Sequence, residues 1–458
     1  MVRRLRWVFV VAGLLAGLSI WTIAFPSAEN LLAPTMQSSM PAEDPLWSMA
    51  SCQLEPGWAV KPIHRFPAPI NSLLAPPVND SSSKGEIYVG TSQAGGVYRL
   101  NPNFPKVAMT ISHSLGESKT HGECWVNRLA VQDIDGDGIK ELIASTSQVM
   151  PRGRPNFYVW SLESTIPVFH SIARPHIQSS WSHGLGFLPR NDSHGDSMFV
   201  TYCGFGEIVE YQYEQGRDAN GFRGDELSWK QVGNLESSGE GCQTADLDND
   251  EIPEICLATG YGENKAKIQS FTSAARGATL KLNQSITENY RFSNVQFIVG
   301  DMRGDGTNDV VAWWCSDHIH GGACEVIRYH VNSKGIQDRT VIAQGKARSL
   351  FPGDGQTLLL DLDNNGFNEV WFASKDGILW RYDPRSTPSL TRVLKGPPHL
   401  GPIAAWCKEK SSTEPPSLFL GWGRDLIKLE RITALPGESP SLPDNRLKES
   451  NSTSSVAE

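Results

Sequence analysis

Short apolar runs alternate with polar turns along almost the whole chain. Seven of them share one form: EIYVGT (86–91), ELIAST (141–146), SMFVTY (197–202), EICLAT (254–259), DVVAWW (309–314), EVWFAS (369–374) and SLFLGW (417–422). Each is short and rich in β-branched, aromatic or aliphatic residues, as a buried strand requires. A second run follows each after a Gly-rich or polar turn: GGVYRLNP (95–102), NFYVWSLE (156–163), GEIVEYQY (206–213), KAKIQSFT (265–272), CEVIRYHV (324–331), GILWRYDP (377–384) and DLIKLERI (425–432). Alternation of period two, as in Ile378-Trp380-Tyr382 against Leu379-Arg381, marks half-buried antiparallel strands. No long segment of 3.6-residue period occurs after residue 30, so the chain is expected to be all-β.

Successive starts of the first run lie roughly 48 to 60 residues apart, a spacing that fits one supersecondary unit per repeat. Seven units of about four short strands predict a seven-bladed β-propeller with four-stranded antiparallel blades. A misread unit would make the count six or eight. LKGPPHLGPIAAW (394–406) resembles PIHRFPAPINSLLA (62–75), so WAVKPIHRF (58–66) is expected to supply the outer strand of the last blade. Closing the ring in this way removes an open edge that would invite aggregation.

The turn before four of the strands carries spaced acids. VQDIDGDGIKELIAST (131–146) gives Asp133, Asp135, Asp137 and Glu141, and TADLDNDEIPEICLAT (244–259) repeats the offsets with Asp246, Asp248, Asp250 and Glu254. LLLDLDNNGFNEVWFAS (358–374) gives Asp361, Asp363, Asn365 and Glu369; IVGDMRGDGTNDVVAWW (298–314) gives Asp301, Asp305 and Asp309, with Arg303 at the third position. An EF-hand is excluded, because position twelve from Asp133 is Ala144 and the flank is strand-like. A hard cation takes six to eight oxygens, and alternate residues of a tight turn can aim carboxylates inward with a backbone carbonyl between them. The expected calcium sets are Asp133, Asp135, Asp137, the Ile139 carbonyl and Glu141; Asp246, Asp248, Asp250, the Ile252 carbonyl and Glu254; and Asp361, Asp363, Asn365, the Phe367 carbonyl and Glu369. In the loop of Asp301, Asp305 and Asp309, the guanidinium of Arg303 is expected to compete for the ion's place by pairing with Asp301 and Asp309. The ions would be structural, tying a loop at the rim of each blade.

The Asp-x-Asp-x-Asp-Gly-x-x-Glu spacing before a strand resembles FG-GAP/VCBS repeats, the units of the integrin α-subunit propeller, over roughly residues 56–434. Blades one and seven lack the loop, and blade three (LPRNDSHGDSMFV, 188–200) has lost the spaced carboxylates. The resemblance implies calcium loops on one face and ligands on the other. That second face would hold KTHGECWVN (119–127), PHIQSSWSHGLG (175–186), LESSGEGC (235–242), CSDHIHGGAC (315–324) and GPPHLGP (396–402). His121, Glu123, Trp125, Trp181, His183, Glu240, His318, His320 and His399 would then converge near the central channel, where aromatic faces suit sugar rings. The plainer reading is that these loops are simply polar, with tryptophans plugging blade junctions.

Composition narrows the partners. A net charge of −9 and no Lys/Arg cluster beyond the N-terminus argue against nucleic acid. Arg3, Arg4 and Arg6 precede an apolar run from Trp7 to Phe25, which reads as a signal peptide (1–28) or an uncleaved membrane anchor. Either places the body outside the cytoplasm, with any membrane contact made by that segment only. Residues 29–55 are expected to be a linker, 56–434 the propeller and 435–458 a disordered tail. Eight cysteines suit an oxidising compartment. Cys315 and Cys324 are the best-placed disulfide pair, buried free thiols being the alternative. No nucleophile elbow, HExxH or local nucleophile–base pair is present. The functional expectation is a monomeric, non-catalytic binding or adhesion module for protein or glycan. The alternative is an extracytoplasmic lyase or hydrolase acting on carbohydrate or a related small molecule at the central channel.

Overall fold

The repeated hexapeptides form the second strands of seven antiparallel sheets. The structure, a computed structural model, describes residues 52–432 except 77–84, 93–94, 104–107, 113–114, 116–123, 149–156, 164–166, 174–181, 191–194, 203–205, 214–226, 261–265, 289–291, 318–320, 364, 397, 399 and 407–415. Two strands, β1 (Gln53–Leu54) and β2 (Trp58–Arg65), come first. Blade one is β3 (Ile70–Leu74), β4 (Ile87–Thr91), β5 (Val97–Leu100) and β6 (Ala108–Ser112). Blade two is β7 (Cys124–Gln132), β8 (Glu141–Gln148), β9 (Phe157–Ser161) and β10 (Val168–Ala173). Blade three follows as β11 (Ser182–Leu188), β12 (Ser197–Tyr202), β13 (Glu207–Gln212) and β14 (Ser228–Asn234). Blade four is β15 (Ser238–Ala245), β16 (Glu254–Gly260), β17 (Lys267–Thr272) and β18 (Lys281–Thr287). Blade five comprises β19 (Asn294–Gly300), β20 (Asp309–Cys315), β21 (Ala323–Asn332) and β22 (Gly335–Lys346). Blade six holds β23 (Pro352–Leu360), β24 (Glu369–Ser374), β25 (Ile378–Tyr382) and β26 (Leu390–Lys395). Blade seven has β27 (Leu400–Trp406), β28 (Ser417–Trp422) and β29 (Asp425–Arg431).

The first strands of successive blades abut one another, and β27 abuts β3, so they line the centre of a closed ring. The second strands are covered on both faces by the neighbouring blades. Every residue of β12, β16, β20 and β24 is buried, which is why these segments read as unbroken apolar runs. The core therefore lies between blades. Trp313 of blade five meets Phe372 of blade six edge to face at 5.0 Å, and Val310, Ala312 and Trp314 pack on Cys256, Ala258 and Ile268 of blade four. Outer strands such as β18 and β22 are mostly exposed.

The N-terminal segment closes the ring as expected. β2 pairs antiparallel with β29, from Trp58 opposite Arg431 to Arg65 opposite Asp425. Arg65 donates to Asp425 across this seam at 2.7 Å. Trp58 is buried and lies edge to face on Trp371 of blade six, centroids 5.5 Å apart. β1, at the end of the expected linker, adds a fifth strand to blade six through Gln53–Lys395 and Leu54–Leu394. The signal or anchor, the rest of the linker and residues 433–458 lie outside the described residues. No helix among the described residues is long and apolar enough to cross a membrane.

The disulfide expectation needs correction. Cys315 and Cys324 stand directly opposite each other on β20 and β21, but both are free thiols. Each is buried among Val326, Ala347, Leu350 and Phe351, so the sulfurs serve as core packing.

If β2 closes the ring, Trp58→Ala should cost about 3–5 kcal/mol, the usual range for deleting a buried Trp. Denaturant unfolding measures this, and a loss below about 1 kcal/mol would mean that the closing strand contributes little.

Candidate metal centres

Each acidic loop links the first strand of its blade to the second, at one end of the blade. In blade two, Asp133 accepts the backbone N–H groups of Gly136 (2.7 Å) and Gly138 (3.0 Å), while Asp135 accepts that of Asp137 at 3.1 Å. Gly136 and Gly138 have φ of 78° and 83°, a conformation that a side chain at either position would strain. Glu141, buried at the start of β8, accepts the N–H of Ile134 at 3.0 Å and so ties the two ends of the loop together. Blade four is built alike: Asp246 accepts from Asp250 (3.0 Å) and Glu251 (2.9 Å), and Glu254 accepts from Leu247 at 2.8 Å. Here Asn249 and Glu251 take the positive φ values, 59° and 71°.

These two loops gather their carboxylates. One oxygen from each of Asp246, Asp248, Asp250 and Glu254 lies within 4.8 Å of the others, and the same holds for Asp133, Asp135 and Glu141. Asp137 instead accepts the N–H of Ile139 at 2.7 Å. Neither Glu141 nor Glu254 makes an ion pair among the described residues. Burial, reinforced by the charges of Asp135, Asp137 and Asp133, pushes Glu141 up to about 8. Burial with Asp248 and Asp246 nearby pushes Glu254 up to about 7. Asp248 is 4% exposed, and its Oδ1 has no hydrogen-bond partner. A buried carboxylate oxygen left open beside three other acids fits a cation, which would supply the missing positive charge. Asp246, Asp248, Asp250 and Glu254 would hold it in blade four, and Asp133, Asp135 and Glu141 in blade two.

Blade five carries its own cation. Arg303 Nε lies 3.3 Å from Asp309 Oδ2 and 3.5 Å from Asp305 Oδ2, and Nη2 reaches Thr307 Oγ1 at 2.9 Å and His330 Nδ1 at 3.0 Å. The guanidinium thus meets Asp309 as expected, but its other acidic partner is Asp305. Asp301 accepts the backbone N–H groups of Arg303, Gly304 and Gly306 instead. In blade six, Asp361 accepts from Asn365 and Gly366, and Asn365 from Phe367, so the turn is preserved. Yet Asp361, Asp363 and Glu369 are not among the acids drawn together. Arg431 approaches Asp363 at 3.8 Å, Arg381 approaches Glu369 at 4.0 Å, and Arg385 donates to Asn365 at 3.0 Å. Blades one and three use arginine too. Arg99 lies 3.4 Å from Glu86, while Arg190 donates to Ser197 at 2.9 Å and meets buried Glu210 at 3.3 Å.

The loops are also tied between blades. Asn308 donates to the Asp246 carbonyl at 2.8 Å, and Asn368 to the Asp301 carbonyl at 2.6 Å. Both stand just before the closing acid of their own loop, a recurrence visible in the sequence. His170, Asn283 and the arginines of the third strands come from outside the loops, so loop spacing alone could not reveal them.

Of the expected ligand-face residues, His121, Glu123, Trp181, His318, His320 and His399 lie outside the described residues, as do the side chains of His183 and Glu240. Trp125 is half-buried, second in β7, at the end of blade two away from Asp133.

The fold places the chain among seven-bladed β-propellers. No family model matches it, and no curated protein matches it. The FG-GAP/VCBS resemblance therefore rests on the loop spacing. Among solved structures, the Neurospora crassa Pan2 WD40 domain is similar over 84% of this chain and 95% of its own, with a TM-score of 0.48 and 11% identity. A computationally designed protein, Ika8, covers 81% of this chain and 98% of its own, with a TM-score of 0.42 and 10% identity.

The raised carboxyls set a pH dependence for the metal-free protein. The folded chain holds protons on Glu141 and Glu254 that the unfolded chain, at its ordinary 4.5, releases. Their contribution to stability is full below about pH 4.5 and is lost as the pH rises through about 7 and 8. Glu141→Gln, which cannot ionise, should therefore flatten the fall in melting temperature between about pH 5.5 and 8. An identical slope in the variant would contradict this assignment.

Proposed function

We propose that the chain is a non-catalytic, extracytoplasmic binding module: a propeller whose rim is braced by calcium and whose ligand, a protein or a glycan, is engaged on the opposite face. The observation that carries the calcium reading is the contrast between blades. Blades one, five and six bring an arginine to their rim acids, while among the described residues blades two and four draw their acids together without one. Asp248 Oδ1, buried and unpartnered, adds to this. An all-oxygen loop of spaced acids suits calcium better than magnesium, which keeps its waters. Blade six, with three arginines around its loop, is the weaker candidate.

The binding reading rests on strand direction and sequence. The acidic loops all leave from one end of the blades. The opposite end is where β7, β11, β15 and β27 begin and where β20 passes to β21, next to the His- and Trp-bearing segments. Non-repeating loops at that end and metal loops at the far end would separate recognition from bracing. The apolar run at the N-terminus supports an extracytoplasmic address.

Two experiments test the proposal. Chelation followed by desalting should lower the melting temperature by several degrees, and calcium should restore it, because binding the folded form alone stabilises it; an unchanged melt refutes structural calcium. Glycan and protein arrays, read with and without analysis for cleaved products, should then give retained ligand with no turnover. Release of hydrolysis or elimination products would instead make the chain an enzyme.

A further inference from the structure

The acidic loop of blade four is met by a side chain from outside it. Asn283, on outer strand β18, points its amide at two loop acids, with Nδ2 2.8 Å from Glu254 Oε1 and 3.1 Å from Asp248 Oδ2. It reaches them because β18 is bulged there. Leu282 pairs with Phe271 and Gln284 with Ser270, which leaves Asn283 unpaired. A bulge re-aims one side chain out of the regular alternation. Phe271 and Ser270 in turn pair with Ile255 and Cys256, the two residues that follow Glu254.

Blade two has the same bulge at the same register. Phe169 pairs with Trp160 and Ser171 with Val159, leaving His170 unpaired; Trp160 and Val159 pair with Leu142 and Ile143, the two residues after Glu141. His170 Nε2, buried and without a hydrogen-bond partner, stands 3.3 Å from Asp135 Oδ2. Asp135 and Asp248 hold the same place in their loops. At this register the outer strands of blades one, three, five and six pair regularly. The bulge thus accompanies the two blades whose acids are gathered and which, among the described residues, bring no arginine to them.

We propose that Asn283 is a cation ligand of the blade-four site, delivered from the outer strand by the bulge, and that the side chain at this position sets the cation preference of the blade. The inference rests on the calcium reading of these loops. Half a turn about the Cβ–Cγ axis of Asn283 exchanges Nδ2 for Oδ1 and puts a hard oxygen donor beside Asp248 and Glu254. Asp248 Oδ1, buried and unpartnered, is the second sign that this cluster takes a ligand. A histidine nitrogen in the same place suits a borderline cation such as zinc better than calcium. Asn283 also lies in an Asn-Gln-Ser sequon. A glycan on Nδ2 would compete with this role.

The test is calcium and zinc titration of the full, chelator-stripped chain against a chromophoric chelator, with circular dichroism as the folding control. Asn283→Ala should weaken one calcium site roughly tenfold or more. Asn283→Asp, which adds an anionic oxygen, should tighten that site severalfold, and Asn283→His should exchange calcium affinity for zinc affinity. Folded Ala and Asp variants with the wild-type calcium constant would overturn the assignment of Asn283. Should the Ala variant fail to fold, the Asp variant decides alone, an unchanged constant again overturning the role. A wild-type chain that binds no calcium would instead overturn the metal reading beneath it.

Discussion

A carboxylate buried where a turn enters a central strand has to be met by positive charge or stay protonated. This constraint recurs around the ring, at Glu86, Glu141, Glu254, Asp309 and Glu369. The acid is useful there: Glu141 and Glu254 accept a backbone N–H from the far side of their own loops and fix the entry into the strand. Blades one and five meet the charge with Arg99 and Arg303; in blade six Arg381 stands 4.0 Å from Glu369, and burial still pushes that carboxyl up to about 7. Blade three has replaced the acid with Ser197 and turned Arg190 toward Glu210 instead. Blades two and four concentrate further acids around the first, an arrangement that repels itself unless a cation joins it.

The rim behaves as a chain of such units. Asn308 holds the Asp246 carbonyl and Asn368 holds the Asp301 carbonyl, so each of these loops is clasped by the next blade. The inner strands are laced in the same way. Asn71 donates to the Val126 carbonyl and Asn127 to the Ser182 carbonyl, while Gln243 both donates to and accepts from the backbone of Val299. Tightening one loop therefore bears on its neighbours through direct hydrogen bonds. The closing pair β2–β29 makes the chain endless, with Trp58 carrying the join into blade six.

The architecture was legible because it is periodic. Fully buried second strands leave unbroken apolar hexapeptides, half-buried third strands leave alternation, and the similarity of residues 62–75 to 394–406 announces the closure. The loops were legible for the same reason, and Arg303 stood out as the one residue breaking a repeated spacing. What spacing could not show is what arrives from elsewhere in the chain. Arg381, Arg385 and Arg431 come from strands or turns beyond the loop of Asp361, and Asn283 and His170 arrive through bulges that no residue pattern marks. Cys315 and Cys324 were correctly placed opposite each other, but sequence separation says nothing of whether the sulfurs bond or pack. The loops at the other end of the blades do not repeat, so they carry no pattern from which a ligand could be read.

Equilibrium dialysis against calcium, counting ions per chain, bears most directly on the proposal that metal braces blades two and four where arginine serves blades one, three and five. The account predicts that two ions bind first and saturate before any weaker binding at blade six. No saturable binding, or a set of four or more equivalent sites, would contradict it.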